Sequence, residues 1–254
     1  MSEEATAQSG AGSGSWGPGA DATPVLDLLR AGEMGLKGRL PWSSNATFLA
    51  SVSSSTGAEV LVIYKPAKGE RPLWDFPGGL WRREVAAYHL ACFLGWQIVP
   101  PTVARAEGPL GPGSVQLFMD CHFEEHYFTL LESREHHGAL RRIAVFDIVA
   151  NNADRKAGHC LLDKEGRIWA IDNGLCFHSE PKLRTVIWDF AGDSVAADLL
   201  DALGPLSLGE RPHALEALLQ PEEIAALVRR ASALRRKGRF PAPKTEHHYP
   251  WPLI

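Results

Sequence analysis

The apolar period of the chain changes partway along it, and that change limits the folds available. Between residues 35 and 65 the apolar residues come in short runs split by turn formers. Gly35 to Leu40 leads into the turn P-W-S-S-N. Thr47 to Val52 alternates and leaves through S-S-S-T-G, and Val60 to Lys65 reads V-L-V-I-Y-K before Pro66. Runs of this kind, bounded by Ser, Asn and Gly, predict three strands in an antiparallel meander. Beyond the loop L-W-D-F-P-G-G-L the spacing becomes helical. Val85, Tyr88, Leu90, Ala91 and Leu94 mark one helix, and Gly95 stops it. Two further strands joined by a Gly/Pro turn are expected over I-V-P-P-T-V-A-R to L-F-M-D, and a helix over residues 138 to 150. A hairpin follows over C-L-L-D-K-E-G-R-I-W-A-I-D. From about Lys182 onward the pattern predicts helix. Its last member, P-E-E-I-A-A-L-V-R-R-A-S-A-L-R-R-K-G, has an acidic start and a basic end that suit the helix dipole. A short helix with Pro24 in its first turn is expected from D-A-T-P-V-L-D-L-L-R. The expectation is an α+β protein: a β-rich part over residues 21–120, a hinge near 115–125, and a mainly helical part with one hairpin over residues 121–240. Residues 1–20, rich in Gly and Ser, read as a disordered tail, and residues 241–254, rich in Pro, as an extended one.

A net charge of -4 over 254 residues offers nothing to attract nucleic acid. No apolar run approaches the roughly 20 residues that span a bilayer, so no integral membrane association is expected. The acidic N-terminus lacks the basic start and apolar centre of a signal peptide, and the four cysteines form no C-x-x-C pair. Both point to a cytoplasmic chain with reduced thiols.

Four polar residues stand where phosphoryl transfer would need them. Lys65 ends the third strand, from which a lysine reaches the phosphates of a nucleotide. Glu84 lies on the next helix and could hold that lysine extended. Asp154 sits in N-N-A-D-R-K-A-G-H, a polar stretch between a helix and the hairpin. Asp172 ends the hairpin in I-D-N-G. A hairpin of this length brings its ends together, so both aspartates face one cleft. One can orient or deprotonate a nucleophile, and the other can hold Mg²⁺ against the phosphates.

The set Y-K-P, R-R-E-V-A-A-Y, N-x-D-R-x-x-x-H and A-I-D-N-G, in this order, resembles the phosphatidylinositol 3-/4-kinase-like branch of the protein-kinase superfold. Its nearest flavours are type II phosphatidylinositol 4-kinases and HipA-like atypical kinases, and it is similar to actinobacterial phosphatidylinositol-kinase-like proteins. The resemblance covers roughly residues 33 to 200. It implies a two-lobe kinase-like fold, an antiparallel β-rich N-lobe and a mainly helical C-lobe, with ATP and Mg²⁺ or Mn²⁺ between them. By this resemblance Asp154 is catalytic, Lys65 contacts phosphates, Glu84 pairs with Lys65, and Asp172 is a metal ligand. The pattern places Asn five residues after the catalytic Asp as a second ligand; here that position is His159. Imidazole suits Mn²⁺ better than Mg²⁺. No G-x-G-x-x-G covers the phosphates, and Gly38 with the turn Ser43, Ser44 and Asn45 could supply donors instead. The implied partners are ATP and a hydroxyl-bearing lipid, protein or small molecule. A nucleotide-binding pseudokinase and AMP transfer to protein are the alternatives.

Each residue also has a plainer reading. Lys65 could be a solvated strand end, and Glu84 could pair with Arg82 or Arg83. Asp154 could form a loop ion pair with Arg155, Asp172 could serve only as a turn former, and His159 could be a core residue. Asn152 and Asn173 read as backbone-holding residues. Trp74, Trp81 and Trp96 read as packing, and the Arg/Lys run from 229 to 237 as a helix end. Cys160 beside His159 suggests a nucleophile pair, but adjacent strand residues face opposite ways. The histidines at 122, 126, 136, 137, 247 and 248 lack zinc-site spacing.

Overall fold

A computed structural model describes residues 21–41, 43 and 45–254. The expected tail over residues 1–20, and Ser44 of the turn, lie outside the described residues. The meander forms as its turns predict. Strands β1 (Glu33–Arg39), β2 (Phe48–Ser53) and β3 (Glu59–Pro66) pair antiparallel, and β4 (Thr102–Arg105) and β5 (Gly113–Leu117) complete a sheet of order β1-β2-β3-β5-β4. Alternation along the central strand β3 sorts its side chains between the two faces. Val62 and Tyr64 are fully buried against Ala50, Val52, Val115 and Leu29 of α1 (Thr23–Ala31), whereas Ile63 and Lys65 line the opposite face.

Helix α2 (Leu80–Phe93) follows β3. No side chain of its own caps its start, and the orphan N–H groups of Gly79 and Trp81 instead donate to the carboxylate of Glu70 at 2.9 and 2.8 Å. Its apolar face, including Ala86, Leu90 and Ala91, belongs to the core of the helical part and not to that of the sheet. Deep in that core stand α3 (Tyr127–Leu131) and α4 (His137–Ala150). Strand β6 (Cys121–His122) pairs with the hairpin β7 (Cys160–Asp163) and β8 (Ile168–Ala170) in a second, three-stranded sheet. Short helices α5 (Ala197–Ala202), α6 (Gly204–Ser207) and α7 (Ala214–Leu218) lead to α8 (Pro221–Lys237), whose start carries a capping box between Gln220 and Glu223. The architecture is α+β, an antiparallel sheet followed by a mainly helical part.

One expectation fails. Helix does not begin near Lys182; the first helix after the hairpin starts at Ala197. The backbone of the intervening stretch is committed to other partners. Arg184 N donates to Asn152 O at 2.9 Å, Thr185 N to His248 O at 3.0 Å and Val195 N to Gly238 O at 2.9 Å. Those bonds to distant loops replace the local i to i−4 ladder. The tail over residues 241–254 holds one 3₁₀ turn, Glu246–His248, and runs back across the molecule. Ala157 N donates to Leu253 O at 2.8 Å, and Trp188 Nε1 to His248 O at 3.2 Å. Among the described residues no helix is long and apolar enough to cross a membrane.

Candidate active site

Asn151 ends α4 in the left-handed conformation (φ 58°, ψ 51°), a region asparagine tolerates better than most residues. Its side chain donates to the carbonyls of His178 and Glu180. The chain then turns sharply into the loop carrying Asp154. Asn152 shapes that turn: its Oδ1 accepts Asp154 N at 2.9 Å and its Nδ2 donates to Asp147 at 3.1 Å. The loop is pinned by Arg155, whose side chain is fully buried. It forks onto Asp147 of α4 (2.9 and 3.0 Å), and donates to Asn173 Oδ1 at 2.7 Å and to Ile171 O at 2.6 Å. Arg155 therefore pairs with Asp147 and not with Asp154. One guanidinium joins α4, the Asp154 loop and the I-D-N-G turn.

Asp172 follows β8 with φ 55°, again left-handed, so its side chain turns towards the first sheet. Its Oδ1 lies 2.7 Å from Lys65 Nζ. Lys65 Nζ also donates to Glu84 Oε1, and Glu84 Oε2 accepts Asn173 N at 3.0 Å. The competing pairing of Glu84 with Arg82 or Arg83 does not form; Arg83 instead donates to Glu223 of α8, with both side chains buried. A Cβ at Gly174 would stand 3.3 Å from Glu84 Oε1, a tight contact, and 3.5 Å from Leu80 O. The D-N-G backbone thus passes close against α2. Burial opposes the Lys65 charge, but Asp172 and Glu84 outweigh it and hold its pKa above the usual lysine value. Lys65 in turn holds the Asp172 carboxyl well below the usual range.

Asp154 and His159 complete the cluster. Burial pushes the Asp154 carboxyl up to about 6, although Lys156 Nζ stands 3.4 Å from its Oδ2. Burial also lowers His159 to about 4, so its imidazole is neutral at neutral pH. Its Nδ1 lies 3.1 Å from Asp154 O and 3.4 Å from Lys156 N. Its Nε2 lies 3.5 Å from Asp172 Oδ2.

These groups line one cleft of about 690 Å³ between the two sheets. Lys65, Glu84, Asp154, His159 and Asp172 all reach it, as do Ser43 and Asn45. Asn45 Oδ1 is engaged with Arg71 N at 2.9 Å, so its carbonyl holds the loop. Gly38 lies in β1, where the register with β2 shifts. Sequence reasoning gave no role to Lys156, Asp147, Glu70 or Arg71. Lys156 had a visible signal, two positions beyond Asp154; Asp147 had none, because it sits inside an apolar helix pattern. Trp96 is buried as expected and Trp81 lines the cleft, but Trp74 is 96% exposed and packs on nothing. The tight turn marked by the Leu73–Phe76 bridge holds it outward.

No family model matches the sequence. Protein Rv2133c of Mycobacterium tuberculosis (strain ATCC 25618 / H37Rv) is 39% identical over 269 residues, covering 89% of this chain and 94% of that protein. Two solved structures share the fold at low identity. A hydra Fam20 structure with sugar aligns with a TM-score of 0.55 at 14% identity, over 84% of this chain and 86% of that one. A Golgi casein kinase with Mn/ADP bound aligns with a TM-score of 0.54 at 14% identity, over 84% and 74%. The fold is that of atypical kinases.

Proposed function

We propose a function from one premise: the chain belongs to the family of the Mycobacterium tuberculosis protein Rv2133c. It is an ATP-dependent phosphotransferase, an atypical kinase moving the γ-phosphoryl group of ATP to a hydroxyl. The observation that carries this reading is Lys65, held between Glu84 and Asp172 in the cleft that also receives Asp154. A half-buried cation between a buried carboxylate, Glu84, and an exposed one, Asp172, stays open to the cleft. It suits a site that must meet a polyphosphate and a divalent ion.

The cleft has an apolar side and a charged side. Ile63, Pro100, Leu117, Leu161 and Ile171 supply flat apolar walls for a purine. Lys65 would bind the α/β-phosphates, with Glu84 keeping its side chain extended. The side chains fit a divalent cation: Asp172 offers carboxylate oxygens, and the neutral His159 places Nε2 beside them. Among the described residues no three His, Cys, Asp or Glu side chains make a metal cage by themselves. That suits an ion whose remaining ligands are phosphate oxygens and water. Such an ion supplies neutralisation of charge on the transferring group. Asp154 accepts the proton of the attacking hydroxyl, a task suited to a carboxyl near 6, since it is ionised at pH 7 yet basic enough to take a proton. Lys156 stands beside it to offset the charge that develops on the phosphoryl oxygens. Arg155 sets the spacing between Asp154 and Asp172 without touching substrate. The Golgi casein kinase structure with Mn/ADP bound supports nucleotide and metal as ligands for this fold, and His159 favours Mn²⁺ over Mg²⁺. The site chemistry resembles the phosphatidylinositol 3-/4-kinase-like branch, with Asp172 in the metal-binding turn.

The test is thermal stability with ATP and Mg²⁺, Mn²⁺ or chelator, together with ADP release. Ligand at 100 times its Kd should stabilise wild type by about 2.7 kcal/mol. Asp172→Ala should lose the metal-dependent part. Asp154→Ala should keep nucleotide binding and lose ADP release. Binding without turnover in wild type, unaltered by Asp154→Ala, would establish a pseudokinase instead.

A further inference from the structure

Two residues back along β3 from Lys65, the sheet presents a polar side chain to the cleft. Lys65 stands opposite Ser114 of β5, and Ile63 opposite Gln116, whose other neighbour in register is Thr102 of β4. Alternation sends Val115 into the core of the sheet and Gln116 to the face it shares with Ile63 and Lys65. The Ile63–Gln116 rung lies about 7 Å from the Lys65 rung, two residues along an extended strand. Around it stand the apolar walls Pro100, Leu117, Leu161 and Ile171. Gln116 therefore brings an amide, itself buried, among the residues that would enclose a purine.

A buried amide has to be satisfied at both ends. Nε2 of Gln116 donates to Thr102 Oγ1 at 2.9 Å, and Thr102 Oγ1 donates to the carbonyl oxygen of Pro100 at 2.7 Å. Two oxygens that close need a hydrogen between them, and a carbonyl carries none. The single hydroxyl hydrogen of Thr102 is thus spent on Pro100, and towards Gln116 the hydroxyl can only accept. Turning the amide end for end would set Oε1 against Oγ1 with no hydrogen between them. The relay through Thr102 therefore fixes which end of the amide is oxygen, a choice that side-chain shape alone leaves open. Oε1 is the atom left over. Among the described residues no donor reaches it, and protein does not enclose it, so it opens on the cleft that Gln116 lines.

We propose that Gln116 selects adenine, its Oε1 accepting a hydrogen bond from the exocyclic amino group of the base, and that Thr102 is the positioning residue that holds the amide in this orientation. This rests on the kinase reading above and deepens it by assigning the choice of nucleotide to one side chain. With the phosphates at Lys65, a purine between the apolar walls turns its six-position edge to Gln116. Guanine carries a carbonyl oxygen there and would face Oε1 oxygen to oxygen. A purine with hydrogen at that position would cover Oε1 and leave it unpaired. The contact acts on which nucleotide binds and takes no part in the transfer itself.

The experiment measures, by calorimetry on the full chain with Mn²⁺, the affinities for ATP, GTP and purine riboside 5′-triphosphate, which has hydrogen in place of the amino group. The three share ribose and triphosphate, so the contributions of Lys65 and metal cancel in their ratios. A merely structural role for Gln116 would change all three affinities together and leave the ratios where they were. Wild type should bind ATP about tenfold more tightly than either of the other two. In Gln116→Met, which nearly keeps the volume, ATP and purine riboside triphosphate should bind equally well. In Thr102→Val the amide loses the acceptor that orients it and can turn Nε2 to the cleft, so the affinity for GTP relative to ATP should rise. Circular dichroism checks that each variant is folded, and the Thr102→Val ratio decides the matter if Gln116→Met is not. Equal affinity of wild type for ATP and purine riboside triphosphate, a preference that survives in Gln116→Met, or an unchanged ratio in Thr102→Val overturns this assignment and leaves the kinase reading standing. If wild type binds none of the three nucleotides, the kinase reading itself falls and the assignment falls with it.

Discussion

Asp154→Asn is expected to abolish transfer and, in the same protein, to raise the melting temperature at neutral pH. Burial raises the folded-state pKa of this carboxyl from 3.8 to about 6. The fold thus prefers the protonated form, and the contribution to stability is fully present below pH 3.8 and is lost as pH rises through 6. A difference of about two pH units corresponds to about 3 kcal/mol. The side chain is 28% exposed, and solvent screening reduces this to about 1–2 kcal/mol. Asparagine keeps the shape without the charge. In metal-free buffer at pH 7.5 it should add about 2–8 °C to the melting temperature of a chain of this size. That gain should shrink to nothing near pH 4, where Asp154 is itself neutral. In wild type the rate of transfer should fall about tenfold for each pH unit below 6, as the base is protonated. Melts of both proteins from pH 4 to 8, followed by scanning calorimetry, test this. A lower melting temperature for Asp154→Asn at pH 7.5, or a difference that does not change with pH, would refute the claim that burial strains this charge.

Other perturbations act on the same framework. Arg83→Met should destabilise by about 3–5 kcal/mol in denaturant unfolding, because Glu223 is left buried without its partner. The loss in Arg83→Met/Glu223→Leu should be smaller than that of either single variant. Lys65→Met should remove the stabilisation by ATP and metal in thermal melts, since the phosphates lose their cation. His159→Asn, which replaces the Nε2 donor by an oxygen, should move the metal preference from Mn²⁺ towards Mg²⁺ in ADP-release assays. Removing residues 245–254 should lower turnover more than nucleotide affinity, because the lost backbone bonds reach Ala157 and Thr185 beside Asp154 and not the purine walls.

The parts of the fold legible in the sequence are those governed by local rules. The meander is written in its Ser, Asn and Gly turns, α2 in its helical spacing and the hairpin in D-K-E-G. That Lys65, Glu84 and Asp172 meet could be foreseen because strand end, helix and turn each fix a direction for one side chain, and the three directions converge. The stretch after Lys182 could not be read, because its backbone is satisfied by residues 151–155 and 238–248, which no local pattern reveals. Asp147 was hidden for a related reason. A carboxylate inside I-A-V-F-D-I-V-A looks like an interruption of an apolar face until Arg155 folds back onto it. Trp74 shows the opposite case, where an aromatic residue invited a packing role and a tight turn denies it any neighbour.

The return of the tail ties the order of synthesis to the birth of the site. All the charged groups of the cleft, from Lys65 to Asp172, leave the ribosome well before His248 and Leu253. Until those later residues arrive, Thr185 N and Ala157 N lack the carbonyls that hold them, and the loop bearing Asp154 is only half fastened. A nascent chain therefore carries the complete set of reactive side chains while lacking the frame that aligns them. The frame around the Asp154 loop is thus closed by residues made some eighty positions after Asp172, later than any side chain it aligns.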